Sequence, residues 1–274
     1  MKRIICLLLG FSLLSLTVSA QEVSAYMLKN LIRVKAMLVD DKGKEYTIYG
    51  GGFIVDGKYL ATTYSLFKPT GFTKKPKRMV VYYNYRVDDK QNLKNDSVDI
   101  DLLYKYIGKQ YDFSKHVYQA DKLETDFIVL KLKKVIPVKL LPLSAKTSPP
   151  KYSNMPILAF DNSQGVLRND TLIHLFLQFQ DKVQDTYQLV MFGPSKPGFS
   201  GSPIFNERGE IMSIIQFGLS EINEGYIEAL KKAGWLTDED IQAIRKAYAS
   251  QNPRNFIFST NINYLMEKYV KGFR

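Results

Sequence analysis

The chain has almost none of the residues that form disulfides or metal sites. Its 274 residues include one cysteine, Cys6, and two histidines, His116 and His174. A single cysteine cannot form an intramolecular disulfide, and so few thiol and imidazole groups argue strongly against a zinc centre. We therefore expect no metal ion and no cofactor, and we expect the burial of apolar side chains to supply the stability of the fold.

Long apolar runs are also absent, with one exception at the start of the sequence. Two basic residues precede an apolar run over residues 4–18, and small residues follow it. This pattern is typical of a secretory signal peptide cleaved after Ala20, and the run is short for a membrane span. We predict a signal peptide at residues 1–20 and a bacterial protein that is secreted or periplasmic, with no membrane span.

Acidic residues are fewer than basic ones. The chain has 38 lysine and arginine residues against 27 acidic residues; without Lys2 and Arg3 of the predicted signal peptide 36 remain, which gives a formal charge of +9. A basic surface permits acidic partners but does not require them. We interpret the densest cluster, residues 74–78, as a solvated loop rather than a binding patch. No nucleic-acid partner is specifically indicated, and the oligomeric state stays open.

Short segments rich in β-branched and aromatic residues make up most of the chain. Turn residues separate segments of about six to nine residues, which predicts the strands of a sandwich or barrel. The polar stretch 144–151 contains two adjacent prolines and indicates a linker. We therefore predict an N-terminal β-barrel at residues 21–145 and a C-terminal β-barrel at residues 146–274.

One stretch of the second half departs from the strand pattern. Apolar residues recur at helical spacing before Gly234 and again after Thr237, which three acidic residues follow. A threonine cap and acidic residues in the first turn both favour a helix. The sequence predicts a helical hairpin at about residues 220–253, inserted in the second barrel, and a C-terminal helix at residues 262–270.

The stretch 197–205 carries the residues with the clearest chemistry. Ser200 follows Gly198 and Phe199 and precedes Gly201. Glycines beside a hydroxyl allow the backbone to turn sharply and to approach another group closely. Ser200 can act as a nucleophile while the N–H groups of Gly198 and Ser200 bind an oxyanion, but the same composition is typical of a tight turn. These residues alone leave both interpretations open.

Three stretches, in this order along the chain, resemble parts of one known family. They are Gly-Gly-Phe-Ile-Val-Asp-Gly-Lys-Tyr-Leu-Ala-Thr-Thr at residues 51–63, Thr-Asp-Phe-Ile-Val-Leu-Lys-Leu at residues 125–132, and residues 197–211. They are similar to the segments around the catalytic residues of trypsin-like (chymotrypsin-fold) serine peptidases, in the bacterial branches that include the Do-like and glutamyl-endopeptidase types. The resemblance covers about residues 28–270. It implies an all-β fold of two packed six-stranded β-barrels, with a peptide or protein ligand in the cleft between them.

The resemblance also implies roles for single residues. Asp126 matches the catalytic aspartate, Ser200 the nucleophile and Gly198 an oxyanion glycine, but Ser65 occupies the position of the catalytic histidine. A serine hydroxyl has no usable basicity near neutral pH and cannot take the proton of Ser200 as an imidazole does. The residue before the nucleophile, usually Asp or Asn in this family, is Phe199.

Two main hypotheses for the function follow. The first is an exported protein with a trypsin-like peptidase fold and a degenerate triad, weakly active or inactive as a protease, that binds a peptide or protein. The second is an active serine endopeptidase in which a non-standard base activates Ser200, with His116 and His174 as candidates for that base. A third, an unrelated two-domain β protein, would require the three motifs to match by chance.

Overall fold

The structure is a computed structural model, and its described residues cover most of the chain after the predicted signal peptide. They are residues 30–55, 57–69, 72, 74–87, 93–103, 107–109, 126–138, 142–144, 149, 153–163, 166–181, 186–219, 224–232, 234, 236–249 and 255–261. Three predictions lie outside them: the signal peptide at 1–20, the C-terminal helix at 262–270 and the role of His116.

In its described residues, the first half of the chain forms an antiparallel sheet and includes a short helix. Its elements are β1 (Ile32–Val39), β2 (Glu45–Val55), β3 (Tyr59–Thr62), α1 (Tyr64–Phe67), β4 (Arg78–Val87), β5 (Leu93–Asp99), β6 (Ile107–Lys109) and β7 (Phe127–Lys131). The strands pair in the order β5-β4-β1-β2-β3-β7-β6. Along β1, buried and half-buried residues alternate, as expected for a strand with one face in the core.

The second half forms a closed β-barrel with two inserted helices. Its elements are β8 (Asn154–Asp161), β9 (Val166–Asp181), β10 (Thr186–Gly193), β11 (Pro203–Phe205), β12 (Ile211–Leu219), α2 (Glu224–Lys232), α3 (Asp238–Ala249) and β13 (Asn255–Asn261). The barrel closes in the order β10-β13-β12-β11-β8-β9. Strands β12 and β13 are neighbours in this barrel, so the two helices form an insertion between adjacent strands.

A local hydrogen-bonded motif starts helix α3 at the residue that the sequence indicated. The Asp240 N–H donates to Thr237 Oγ1 at 3.2 Å, and the Thr237 N–H donates to Asp240 Oδ2 at 2.9 Å. This reciprocal pair is a capping box with aspartate in place of the more common glutamate. It satisfies two backbone donors and confirms the predicted helix start.

An apolar cluster joins the two halves of the chain. Phe53 and Phe127 of the first half are buried in the same cluster as Leu158, Phe160 and Phe205 of the second. Two further clusters lie within one half each, the first around β1, β3 and β7 and the second around β8, β11 and β12. The halves are therefore held together by burial of apolar side chains, which is the dominant favourable contribution to folding.

A close backbone contact reinforces this joint at the glycines of β2. The Gly51 N–H donates to the Ser200 carbonyl oxygen at 2.8 Å, across the two halves. A Cβ atom on Gly51 would lie 2.8 Å from both the backbone nitrogen and the Cα of Ser202. Such distances are too short for carbon, so glycine is required because of the neighbouring backbone.

The predicted all-β fold with an inserted helical hairpin is confirmed in its coarse form. Among the described residues the second half has six strands and the first half has seven, including the three-residue strand β6 at the edge beside β7. The count of six strands in each barrel stays a prediction. Closure of the first sheet into a barrel stays a prediction. No helix among the described residues is long and apolar enough to span a membrane.

We expect Gly51→Ala to destabilise the protein by about 1–3 kcal/mol, because the new methyl group would overlap the Ser202 backbone. Urea unfolding followed by circular dichroism measures the change. Gly43→Asn is the matched control, since Gly43 lies in an exposed turn with no atom within 4 Å of its Cβ position and asparagine tolerates its positive φ. Equal stabilities of the two variants would contradict the proposed steric requirement.

Candidate functional site

Two neighbouring strands bring Ser65 and Asp126 together. Strands β3 and β7 are antiparallel, with Thr62 opposite Ile128. The end of β3 therefore lies beside the start of β7. Ser65 follows β3 in the single turn of α1, and Asp126 is the residue that precedes β7. Ser65 and Asp126, which are 61 positions apart in sequence, thus meet where β3 ends and β7 begins.

Asp126 is fully buried and receives its hydrogen bonds from α1. Its exposed fraction is 0%. The Ser65 N–H donates to Oδ1 at 2.9 Å, and the Ser65 hydroxyl donates to Oδ2 at 2.5 Å. The backbone N–H of Tyr64 also hydrogen-bonds the carboxylate. A buried carboxylate requires such donors, because an unpaired one is strongly disfavoured.

Burial also changes the acidity of this carboxyl group. Desolvation raises the pKa of Asp126 from its ordinary value of 3.8 to about 6, while the hydrogen bonds from Ser65 and Tyr64 act in the opposite direction. No cationic side chain among the described residues contributes to the pKa of Asp126. Asp126 therefore carries a negative charge at neutral pH that is held by hydrogen bonds alone.

The loop from Pro197 to Ser202 is fixed by backbone hydrogen bonds on several sides. The Phe199 N–H donates to the Lys196 carbonyl at 3.1 Å, and the Ser202 N–H donates to the Phe199 carbonyl at 3.0 Å. The Gly201 N–H donates to the Ile215 carbonyl of β12 at 2.7 Å. The loop is therefore held as a defined turn.

Two N–H groups of this loop differ from the rest. The N–H groups of Gly198 and Ser200 make no hydrogen bond within the part of the chain that the structure describes. Gly198 has φ of +102°, a backbone conformation that favours glycine. These are the two N–H groups to which the sequence assigned oxyanion binding, and both are available to an acceptor. The assignment itself stays a prediction.

Phe199 anchors the loop by apolar burial. Its exposed fraction is 1%, and it belongs to the core cluster of the second half, together with Met155, Met191 and Ile215. At a position where the family usually has Asp or Asn, this chain thus places a large apolar side chain in the barrel. Hydrophobic packing of Phe199 against the core of the second half therefore holds the loop, without a buried carboxylate or amide at this position.

The glycines of β2 place Ser200 and α1 on the same side of the fold. A Cβ atom at Gly50 would lie 2.7 Å from the Ser200 carbonyl oxygen and 3.0 Å from Leu66 Cδ2. Leu66 directly follows Ser65 in α1, so Gly50 separates the helix that carries Ser65 from the loop that carries Ser200. Both serines are half-buried. Gly50 thus lies between the Ser200 carbonyl and the residue that follows Ser65, and Ser65 in turn is hydrogen-bonded to Asp126.

The candidate base His116 lies outside the described residues. His174 lies on β9, where it pairs with Met191 of β10. No group of three or more His, Cys, Asp or Glu residues with the geometry of a metal site occurs in the described ranges.

Two residues beside the loop were not indicated by the sequence. Arg33 of β1 donates from Nη2 to Asn162 Oδ1 at 2.6 Å, and the backbone N–H of Asn162 donates to the Pro197 carbonyl at 2.9 Å. Neither belongs to a stretch that resembles the peptidase motifs. An arginine in a strand of otherwise mostly apolar residues is the only signal that could have singled out Arg33.

Comparison with known structures identifies the fold. The protease Rv3671c from M. tuberculosis in its active form is similar over 90% of this chain and 82% of its own, with a TM-score of 0.53 and 9% sequence identity. Its inactive form is similar over 91% of each chain, with a TM-score of 0.51 and 10% identity. No family model and no curated protein matches the sequence. At such low identity the likeness concerns the fold alone, which is that of the trypsin-like serine proteases.

We expect the stability of the wild type relative to Asp126→Asn to fall by about 2 kcal/mol between pH 4 and pH 7. The folded pKa of about 6 lies above the ordinary value of 3.8. The native state therefore keeps a proton that the unfolded state releases, and this stabilising contribution is lost as the pH rises through about 6. Urea unfolding of both proteins across this range measures it. A difference that does not change with pH would show that Asp126 titrates normally.

We expect Phe199→Asp to destabilise the protein by about 3 kcal/mol or more, because it places an unpaired carboxylate in an apolar core. Phe199→Leu is the control, with an expected loss of about 1–2 kcal/mol for the smaller side chain. Chemical unfolding at a pH of about 7.5, where a carboxyl group is ionised, compares the two variants. If the aspartate variant were as stable as the leucine variant, hydrophobic anchoring of the loop would be refuted.

Proposed function

We propose that this protein is an exported member of the trypsin-like peptidase-fold proteins that binds a peptide or protein segment and hydrolyses it weakly or not at all. The ligand lies in the cleft between the two β-barrels, against the loop of Gly198 and Ser200. The observation that carries the proposal is the contact of Asp126 with Ser65. In this position an active protease requires an imidazole.

The chemistry of Ser65 supports the loss of hydrolysis. A serine nucleophile needs a neighbouring base that accepts its proton as it attacks. The Ser65 hydroxyl already donates a hydrogen bond to Asp126. A neutral hydroxyl is not basic enough to accept the proton of Ser200 near neutral pH. Asp126 is buried behind Ser65, so its charge serves to orient that hydroxyl. Ser200 therefore lacks an activating partner among the described residues gathered around β2.

The free N–H groups of the loop support retained binding. Two backbone donors without an acceptor among the described residues can hold a carbonyl oxygen of an extended peptide, and they need no base to do so. The packing of Phe199 and the contact of Gly51 with Ser200 keep these donors in place without a ligand. A preformed site loses less conformational entropy on binding, which favours affinity.

One observation favours the alternative of an active serine endopeptidase. The loop of Gly198 and Ser200 keeps a backbone arrangement in which neither N–H donor has a partner among the described residues, which a purely structural turn does not require. In that alternative His116 or His174 supplies the base. The two functions differ in one measurable property, the reactivity of the Ser200 hydroxyl.

We expect the wild-type protein to react with a fluorophosphonate probe no faster than Ser200→Ala, because no base activates Ser200. Ser65→His restores an imidazole beside Asp126 and is expected to raise the labelling rate at least about 100-fold. Labelling is followed by mass spectrometry of the intact mature protein. The double variant Ser65→His/Ser200→Ala is the control and is expected to remain unlabelled.

Rapid labelling of the wild type that disappears in Ser200→Ala would overturn the proposed loss of activity and favour the endopeptidase. His116→Ala and His174→Ala would then identify the base, since removal of the acting histidine abolishes labelling and removal of the other does not. Cleavage of casein by the wild type, again lost in Ser200→Ala, would lead to the same conclusion with a natural protein substrate.

A further inference from the structure

Arg33 bridges the two halves of the fold beside the loop of Gly198 and Ser200. It lies on β1 opposite Gly51 of β2. Its guanidinium carbon is 4.2 Å from the centre of the Tyr49 ring, in the first half, and 4.8 Å from the centre of the Phe160 ring, in the second. Contact with two rings restrains the guanidinium group, and each such cation–π contact is favourable when partly desolvated.

The hydrogen bonds of Arg33 lead directly to the loop. Arg33 Nη2 donates to Asn162 Oδ1, and the Asn162 N–H donates to the carbonyl oxygen of Pro197. The Asn162 side chain also lies against Gly198, so closely that its amide would overlap any Cβ atom at that position. Asn162 therefore contacts both residues that precede Phe199. Arg33 sets the orientation of Asn162, and Asn162 touches the loop.

The contacts of Arg33 and Asn162 are not those expected if the two residues only stabilised the fold. Arg33 Nε and Asn162 Nδ2 are buried and have no hydrogen-bond partner within the described residues. A buried donor that is left without an acceptor is unfavourable for stability. No carboxylate of the described ranges forms an ion pair with Arg33 either. Apolar side chains of similar volume would join the halves at lower cost, so a polar network that leaves donors unpaired points to a role in the geometry of the loop.

We propose that Arg33 is a positioning residue that acts through Asn162 to hold the Pro197–Gly198 peptide, and with it the N–H groups of Gly198 and Ser200, in the orientation that receives a ligand. The proposal rests on the proposed function for the meaning of that orientation. The part of the proposal that concerns the loop, namely that Arg33 keeps it ordered, does not depend on whether Ser200 reacts. Phe199 anchors the loop in the second barrel, and Arg33 links it to the first half.

Amide hydrogen exchange of the ligand-free mature protein, measured by NMR, tests the positioning role. The reporters are the N–H groups of Phe199, Gly201 and Ser202, which are hydrogen-bonded in the loop. Arg33→Met is expected to accelerate their exchange about tenfold or more while amides of β1 and β7 keep their rates, because the opening is local. Arg78→Met is the matched control, since Arg78 pairs with Asp99 on the exposed surface of the same sheet. It is expected to leave the loop unchanged.

Variants of Asn162 separate positioning from general damage. Asn162→Ala is expected to accelerate hydrogen exchange at the same loop amides as Arg33→Met. Because both substitutions break the same chain of contacts, these amides are expected to exchange no faster in the Arg33→Met/Asn162→Ala double variant than in either single variant. Asn162→Asp keeps an acceptor for Arg33 and removes only an unpaired donor, so it is expected to retain wild-type exchange. Should Arg33→Met not fold, Arg33→Lys serves instead. It keeps the charge but loses the planar fork, and an acceleration of about threefold is expected.

Two results would overturn the proposal. One is that the loop amides exchange as slowly in Arg33→Met as in Arg78→Met; the other is that the two accelerations multiply in the Arg33→Met/Asn162→Ala double variant.

A separate reactivity measurement connects the loop to function. In the Ser65→His background, Arg33→Met is expected to lower the fluorophosphonate labelling rate about tenfold, less than the effect of removing an oxyanion donor outright. Absence of labelling in Ser65→His itself would count against the proposed function, while the exchange rates would still decide the role of Arg33.

Discussion

The hydrogen bond from the Gly51 N–H to the Ser200 carbonyl is the contact on which the arrangement of the site depends. It joins a strand of the first half to a loop of the second at 2.8 Å, with no side chain between them. Only glycine permits this distance, because a methyl group at Gly51 would occupy the space of the Ser202 backbone. The apolar cluster shared by the halves supplies the stabilisation, and this bond fixes where the loop stands relative to α1.

Around this contact the fold is that of the trypsin-like serine proteases, and a serine hydroxyl accompanies the buried aspartate. Asp126 remains buried at the start of β7, where burial raises its pKa to about 6. The group that it orients is the Ser65 hydroxyl, which has no basicity to offer. The loop of Ser200 still presents two N–H donors that have no acceptor among the described residues. The proposed function follows from this arrangement, since such a site would hold a peptide carbonyl without activating Ser200.

Two different forces hold the loop from its two sides. Phe199 is buried among apolar residues of the second barrel, whereas Asn162 contacts the loop and is hydrogen-bonded to Arg33 of the first half. Hydrophobic burial is insensitive to direction, and so it fixes depth more than orientation. The hydrogen bonds of Asn162 are directional and supply the orientation. The proposed positioning role would account for the buried donors of Arg33 and Asn162 that lack partners in the described ranges.

The sequence by itself determined most of the elements and the candidate residues of the site. Short segments rich in β-branched and aromatic residues predicted the strands, Thr237 and its acidic neighbours predicted helix α3, and three ordered motifs indicated Asp126, Ser200 and the serine at position 65. These signals are local, so they can be read from short segments. The tertiary structure alone decided that Ser65 is hydrogen-bonded to Asp126, that Phe199 is a core residue, and that Arg33 reaches the loop through Asn162. Each of these contacts joins residues far apart in the chain, and they depend on strand register and on the packing of two halves, which no local pattern encodes.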